Sequence, residues 1–86
     1  MRYAVFADVS RRLTGQEQSA VCEALEVNVP GSGCVGRDKL VNDEVYFCVE
    51  ASCEEDARAR ARDYMNTVLK HAGLDVQYTL SLQPAR

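Results

Sequence analysis

Thr14-Gly15-Gln16-Glu17 follows one extended apolar run, and Ser52-Cys53-Glu54-Glu55 follows another. Both read as capping boxes. The Ser or Thr hydroxyl accepts from the backbone N–H three residues on, and the Glu reaches back to the cap's own N–H, so each pair satisfies two donors that a helix start otherwise orphans. Two helix starts behind two strand-like runs predict a chain built from a repeated strand-helix unit.

Working outward, Arg2 to Val9 alternates Tyr3, Val5, Ala7 and Val9 with Ala4, Phe6 and Asp8. That period of two marks a strand, and apolar residues on both faces place it centrally. After Ser10-Arg11-Arg12-Leu13, the spacing changes to the helical stripe Ala20, Val21, Ala24, Leu25, ending near Glu26. Val27 to Gly33 contains Pro30 and two glycines and suits a turn or an irregular edge. A second strand is expected over Cys34 to Leu40, with Arg37, Asp38 and Lys39 fitting an exposed edge, and Asn42-Asp43 is the expected hairpin turn. Glu44 to Ala51 sends Val45, Phe47, Val49 and Ala51 one way and Tyr46, Cys48 and Glu50 the other. The second helix is expected from Cys53 to Ala72 with a stripe of Ala57, Ala61, Tyr64, Met65, Val68, Leu69 and Ala72. Gly73 supplies the left-handed stop, and Leu74 closes back on Leu69. Asp75 to Leu82 alternates Val76, Tyr78, Leu80 and Leu82 with Gln77, Thr79 and Ser81, as at a sheet edge.

The order β-α-β-β-α-β, with right-handed crossovers and both helices on the sheet face that needs burial, predicts an α+β ferredoxin-like sandwich. Its four-stranded antiparallel sheet has the order 4-1-3-2, with two helices on one face. Residues 1–86 form a single domain, which at this size buries roughly 60–65% of the surface its unfolded chain exposes.

Composition limits the function. An apolar fraction of 47% with only five Gly and two Pro excludes a fibrous or disordered chain. Ten Lys/Arg against thirteen Asp/Glu give a net charge of −3, mixed along the chain, which argues against generic binding to nucleic acid or anionic lipid. The N-terminal run is broken at Asp8 and shows neither a signal-peptide pattern nor a membrane span, so no membrane association and a cytoplasmic location are expected.

Cys22, Cys34, Cys48 and Cys53 lack a C-x-x-C spacing, and the only His is distant, so no metal site is expected. Cys22 and Cys48 read as small buried hydrophobes. Cys53 sits at a helix start that lowers a thiol pKa, beside Glu54, Glu55 and Asp56, which raise it. A dyad of Cys53 with His71 fails on length, because eighteen helical residues separate them by roughly 27 Å. Glu54–Arg58 and Asp56–Arg60 stand at i,i+4 with the acid first, so the Arg58/Arg60/Arg62 row reads as a solvated helix face. Arg11 and Arg12 precede a helix N-terminus and make a candidate anion site. No catalytic constellation emerges, no cofactor is implied, and the chain is not expected to be an enzyme.

The sheet face opposite the helices carries the functional expectation. Ala4, Phe6, Tyr46 and Cys48 emerge there beside Thr79, and two outward aromatics among small residues suit an interaction face. The expected role is a small non-catalytic interaction protein that assembles as a homodimer or with another protein. The alternative is a small-molecule-binding regulatory module, similar to amino-acid-sensing ACT domains in architecture only, because their acidic-Arg-Pro-Gly turn is replaced here by Asp8-Val9-Ser10-Arg11-Arg12. Single-stranded nucleic-acid binding ranks below both. Glu44-Val45-Tyr46-Phe47-Cys48-Val49-Glu50 lacks the basic-Gly start and second outward aromatic of RNA-recognition motifs, and the glycine-rich phosphate loop of acylphosphatases is missing.

Overall fold

The computed structural model describes residues 1–29, 34–37 and 43–85. The elements run β1 (Arg2–Val9), α1 (Gly15–Asn28), β2 (Cys34–Arg37), β3 (Asp43–Glu50), α2 (Glu54–Ala72) and β4 (Tyr78–Pro84). β1 lies between β3 and β4 and is antiparallel to both, with Phe6 opposite Tyr46 on one side and Ser81 on the other.

The inward row of β1, Tyr3, Val5, Ala7 and Val9, is buried. So is the inward row of β3, Val45, Phe47 and Val49. Val21, Ala24 and Leu25 of α1 and Ala57, Ala61, Met65, Val68 and Leu69 of α2 close over these rows in one core. Phe47 meets the edge of Tyr64 at 6.1 Å between ring centroids, the T-shaped geometry that ring quadrupoles favour. β4, at the edge, contributes the half-buried Tyr78, Leu80 and Leu82.

The expected ferredoxin-like sandwich with a full four-stranded sheet is corrected here. The body of the sheet is three antiparallel strands in the order β3-β1-β4, and with its two helices the fold is α+β. Of the strand expected over Cys34 to Leu40, the described residues show β2, four residues along the outer edge of β3, with Cys34 opposite Tyr46 and Arg37 opposite Asp43. Cys34-Val35-Gly36-Arg37 holds a single β-branched residue and a glycine, a weak strand former. Residues 38–40 lie outside the described part.

The two helix starts also differ. At α1 the box forms in full: Thr14 Oγ1 accepts from Glu17 N at 3.1 Å and Glu17 Oε1 accepts from Thr14 N at 2.9 Å. At α2 there is no box. Cys53, not Ser52, is the N-cap and makes no side-chain cap bond, so the helix starts one residue later than Ser52 would set it. Glu54, Glu55 and Asp56 fill the first turn instead, where the exposed N–H groups favour negative charge. At the other end Gly73 adopts φ 72°, ψ 29°, and Leu74 N donates to Leu69 O at 2.9 Å, the expected closure.

Asp43 is the second correction. Its expected turn partner, Asn42, lies outside the described residues, but Asp43 itself opens β3 and is completely buried. Its Oδ2 accepts from Leu13 N at 2.8 Å and from Gln18 Nε2 at 3.0 Å. The carboxylate thus ties the β1–α1 connection to β3, and those bonds supply what a buried charge requires.

Candidate functional site

The sheet face opposite the helices, which no described element covers, is built by the alternate residues of the strands whose other face makes the core. Because β1 pairs with β3 so that residue numbers sum to a constant, Phe6 stands opposite Tyr46 and Ala4 opposite Cys48. The face therefore carries one row of large rings and, two residues along, one row of small side chains. The rings of Phe6 and Tyr46 touch, with centroids 5.2 Å apart and planes tilted by 53°, inside the range favoured by aromatic pairs. Tyr46 Oη lies 3.7 Å from Cys48 Sγ. Phe6, Tyr46 and Cys48 are half-buried in the isolated chain and Ala4 is 9% exposed. Ser81 and Gln83 of β4 flank these rows, and Thr79 stands exposed opposite Asp8 on the same face. All five expected face residues thus lie on one surface, four in a contiguous centre and Thr79 toward one end. Arg2, opposite Glu50, marks the other end; Asp8, opposite Glu44, marks the Thr79 end.

Arg11 is engaged elsewhere. Its Nη1 and Nη2 donate to Glu17 Oε1 and Oε2 at 2.9 and 2.8 Å, a bidentate fork, and Nη1 also donates to Arg12 O at 3.0 Å. Hydrogen bonding from Arg11, then from Thr14 N–H, lowers the Glu17 carboxyl to about 2, and the same pairing raises Arg11. The carboxylate an external anion would replace is already supplied by the chain. The structure places Arg11 and the exposed Arg12 side by side before α1, as expected, but with Arg11 held by the helix's own acid.

The cysteines differ from expectation. Cys22 is exposed on α1, not a core residue, Cys48 is half-buried on the open face, and Cys53 is exposed at the start of α2. Among the described residues no three His, Cys, Asp or Glu side chains gather closely enough to hold a metal ion. His71 Nδ1 lies 3.3 Å from Asn28 Nδ2, linking the C-terminal ends of the two helices. No helix among the described residues is long and apolar enough to cross a membrane.

One further feature lies outside the expected sites. A cleft of about 310 Å³ opens between α2 and β4, lined by Arg58, Arg62, Tyr78, Thr79 and Leu80. Asp56–Arg60 forms as expected, with Nε 3.3 Å from Oδ2, but Arg58 turns from Glu54 toward the strand, where Nη1 donates to Leu80 O at 3.5 Å. Tyr78 Oη donates to Asn66 Oδ1 at 2.6 Å and approaches Arg62 O at 3.3 Å. Burial raises the Tyr78 phenol above its ordinary value. The signal lay in the three-arginine row itself, whose alternate members cannot all face the same acids.

No protein-family model, curated protein or solved structure matches the chain.

Proposed function

We propose that the chain is a small cytoplasmic interaction domain that assembles as a homodimer through its open sheet face. One observation carries the reading: the aromatic row Phe6–Tyr46 lies two residues from the small row Ala4–Cys48. Consider a two-fold axis lying between two stacked sheets and running along the line Phe47–Val5–Leu82. It sets Phe6 on Ala4 of the second copy, Tyr46 on Cys48, and Asp8 opposite Arg2. Large side chains meet small ones at the centre of an isologous contact, which stacked sheets about 10 Å apart need in order to interdigitate. Glu44 and Glu50 oppose each other at the periphery, where solvent and salt screen them.

Sedimentation equilibrium of the wild type and Phe6→Glu across a range of concentrations tests this. A concentration-dependent dimer mass that collapses to monomer in the variant is expected. Wild type monomeric at every concentration refutes it.

A further inference from the structure

We infer that the seam between α2 and β4 is a second binding site, which takes an extended acidic peptide segment as an added strand. Three features of the seam converge on that ligand.

The first is the strand edge. Among the described residues no strand pairs with the outer side of β4. Ser10 N donates to Gln77 O and Ala85 N to Arg2 O, so the odd-numbered residues of β4 turn their backbone groups toward β1. Tyr78, Leu80 and Leu82 therefore turn theirs outward. Tyr78 and Leu82 each offer an N–H and a C=O, and Leu80 offers its N–H and a C=O that Arg58 approaches only at 3.5 Å, a template about five residues long. Pro84 ends it by having no N–H.

The second is charge. Arg58 and Arg62 line the cleft beside this edge, and among the described residues neither forms an ion pair, in a chain of net charge −3. Among the described residues Arg58 makes only the long contact to Leu80 O. Asp63 acts on Tyr78 but does not line the cleft.

The third is spacing. Arg58 sits by Leu80 while Arg62 and Asn66 sit by Tyr78, so α2 runs along β4 in the opposite sense. One helical turn separates the two arginines by about 6 Å, and alternate residues of a strand are about 6.7 Å apart. A segment with acids at i and i+2 on its helix-facing side meets both guanidiniums while its backbone pairs with β4. Strand addition supplies affinity and the alternating acids supply specificity.

A second copy of this chain does not fit the same edge. An isologous β4–β4 pairing would bring Arg58 and Arg62 of both copies together, like charge on like.

The test uses the full chain and four labelled, end-capped heptapeptides, read by fluorescence anisotropy at about 50 mM salt, where ionic contacts are weakly screened. The first alternates Thr and Glu, the second alternates Thr and Lys, and the third carries three Glu at positions 1, 4 and 7 among Thr, so that no two stand at i and i+2. The fourth is the alternating Glu peptide with alternate amides N-methylated on the edge that would face β4. The alternating Glu peptide should bind at least about ten-fold more tightly than the other three, a difference of about 1.4 kcal/mol. The double substitution Arg58→Glu/Arg62→Glu, at one half-buried and one exposed position and checked for fold by circular dichroism, should lose that peptide and gain the Lys peptide by a similar factor. Equal binding of the N-methylated peptide, or of the peptide with Glu at positions 1, 4 and 7, overturns strand addition. Competition by millimolar inorganic phosphate, with no gain of the Lys peptide by the double variant, identifies a small-anion site and overturns the proposal. Failure of this experiment leaves the dimer reading standing, because the two surfaces are tested on separate residues.

Discussion

Exchanging the large and small positions of the open face separates a specific two-fold contact from general stickiness. In Ala4→Phe the introduced ring meets Phe6 of the second copy where Ala4 now accepts it. Overfilling a packed contact costs about 1–3 kcal/mol, and symmetry counts it twice, so the dimer should weaken by about 2–6 kcal/mol, roughly 30-fold or more in Kd. In Phe6→Ala the remaining half of a phenyl side chain is no longer buried on association. That is about 1 kcal/mol per copy, half the value for full burial, and again roughly 30-fold in total. Were the two sites independent, the losses would add. In Ala4→Phe/Phe6→Ala, however, the ring at position 4 lies over the alanine at position 6 of the second copy, and the axis restores the fit. The double variant should dimerise within about ten-fold of wild type, a coupling of at least 2 kcal/mol between positions that the axis superimposes. Sedimentation equilibrium gives the four dissociation constants, and thermal unfolding confirms that each variant folds. A folded double variant as weak as the sum of the single losses would refute the proposed register.

Other substitutions probe the scaffold beneath the site. Asp43→Ala strands the buried Leu13 N–H and the Gln18 amide, so it should cost about 2–4 kcal/mol in urea unfolding; a cost under about 1 kcal/mol would show that the carboxylate is not what ties the β1–α1 connection to β3. Thr14→Ala should cost about 1 kcal/mol, whereas Ser52→Ala should stay within about 0.5 kcal/mol, because α1 has a side-chain cap and α2 has none; equal losses would contradict the difference between the two helix starts. Glu17, with its carboxyl lowered from 4.5 to about 2, contributes stability that is present above pH 4.5 and lost as pH falls through about 2. Urea midpoints of wild type and Glu17→Gln should therefore converge between those limits, and a constant gap down to pH 2 would dismiss the Arg11 fork as a stabilising pair.

The long elements were legible because their burial repeats at a fixed period. Tyr3-Val5-Ala7-Val9 and Val45-Phe47-Val49 alternate, the α2 stripe recurs at helical spacing, and the structure buries those rows. The open-face residues were legible for the same reason, since an inward row fixes the outward one. What the sequence concealed depends on a single residue's register or partner. Ser52-Cys53-Glu54-Glu55 has the letters of a capping box, yet a start one residue later turns Ser52 out of the cap. Asp43 has turn-forming chemistry, but a carboxylate that accepts two long-range donors is better placed inside, and the Leu13 N–H thirty residues away leaves no mark beside it. Arg58 shows the limit most directly. Its i,i+4 spacing to Glu54 satisfies the rule for a helix pair, but an exposed pair of that kind is worth only a few tenths of a kcal/mol. A carbonyl on a neighbouring edge strand is enough to redirect it. That redirection sets Arg58 beside Arg62 along a strand edge that no described strand covers. The feature that sequence rules describe least well is therefore the one that gives this surface its chemical character.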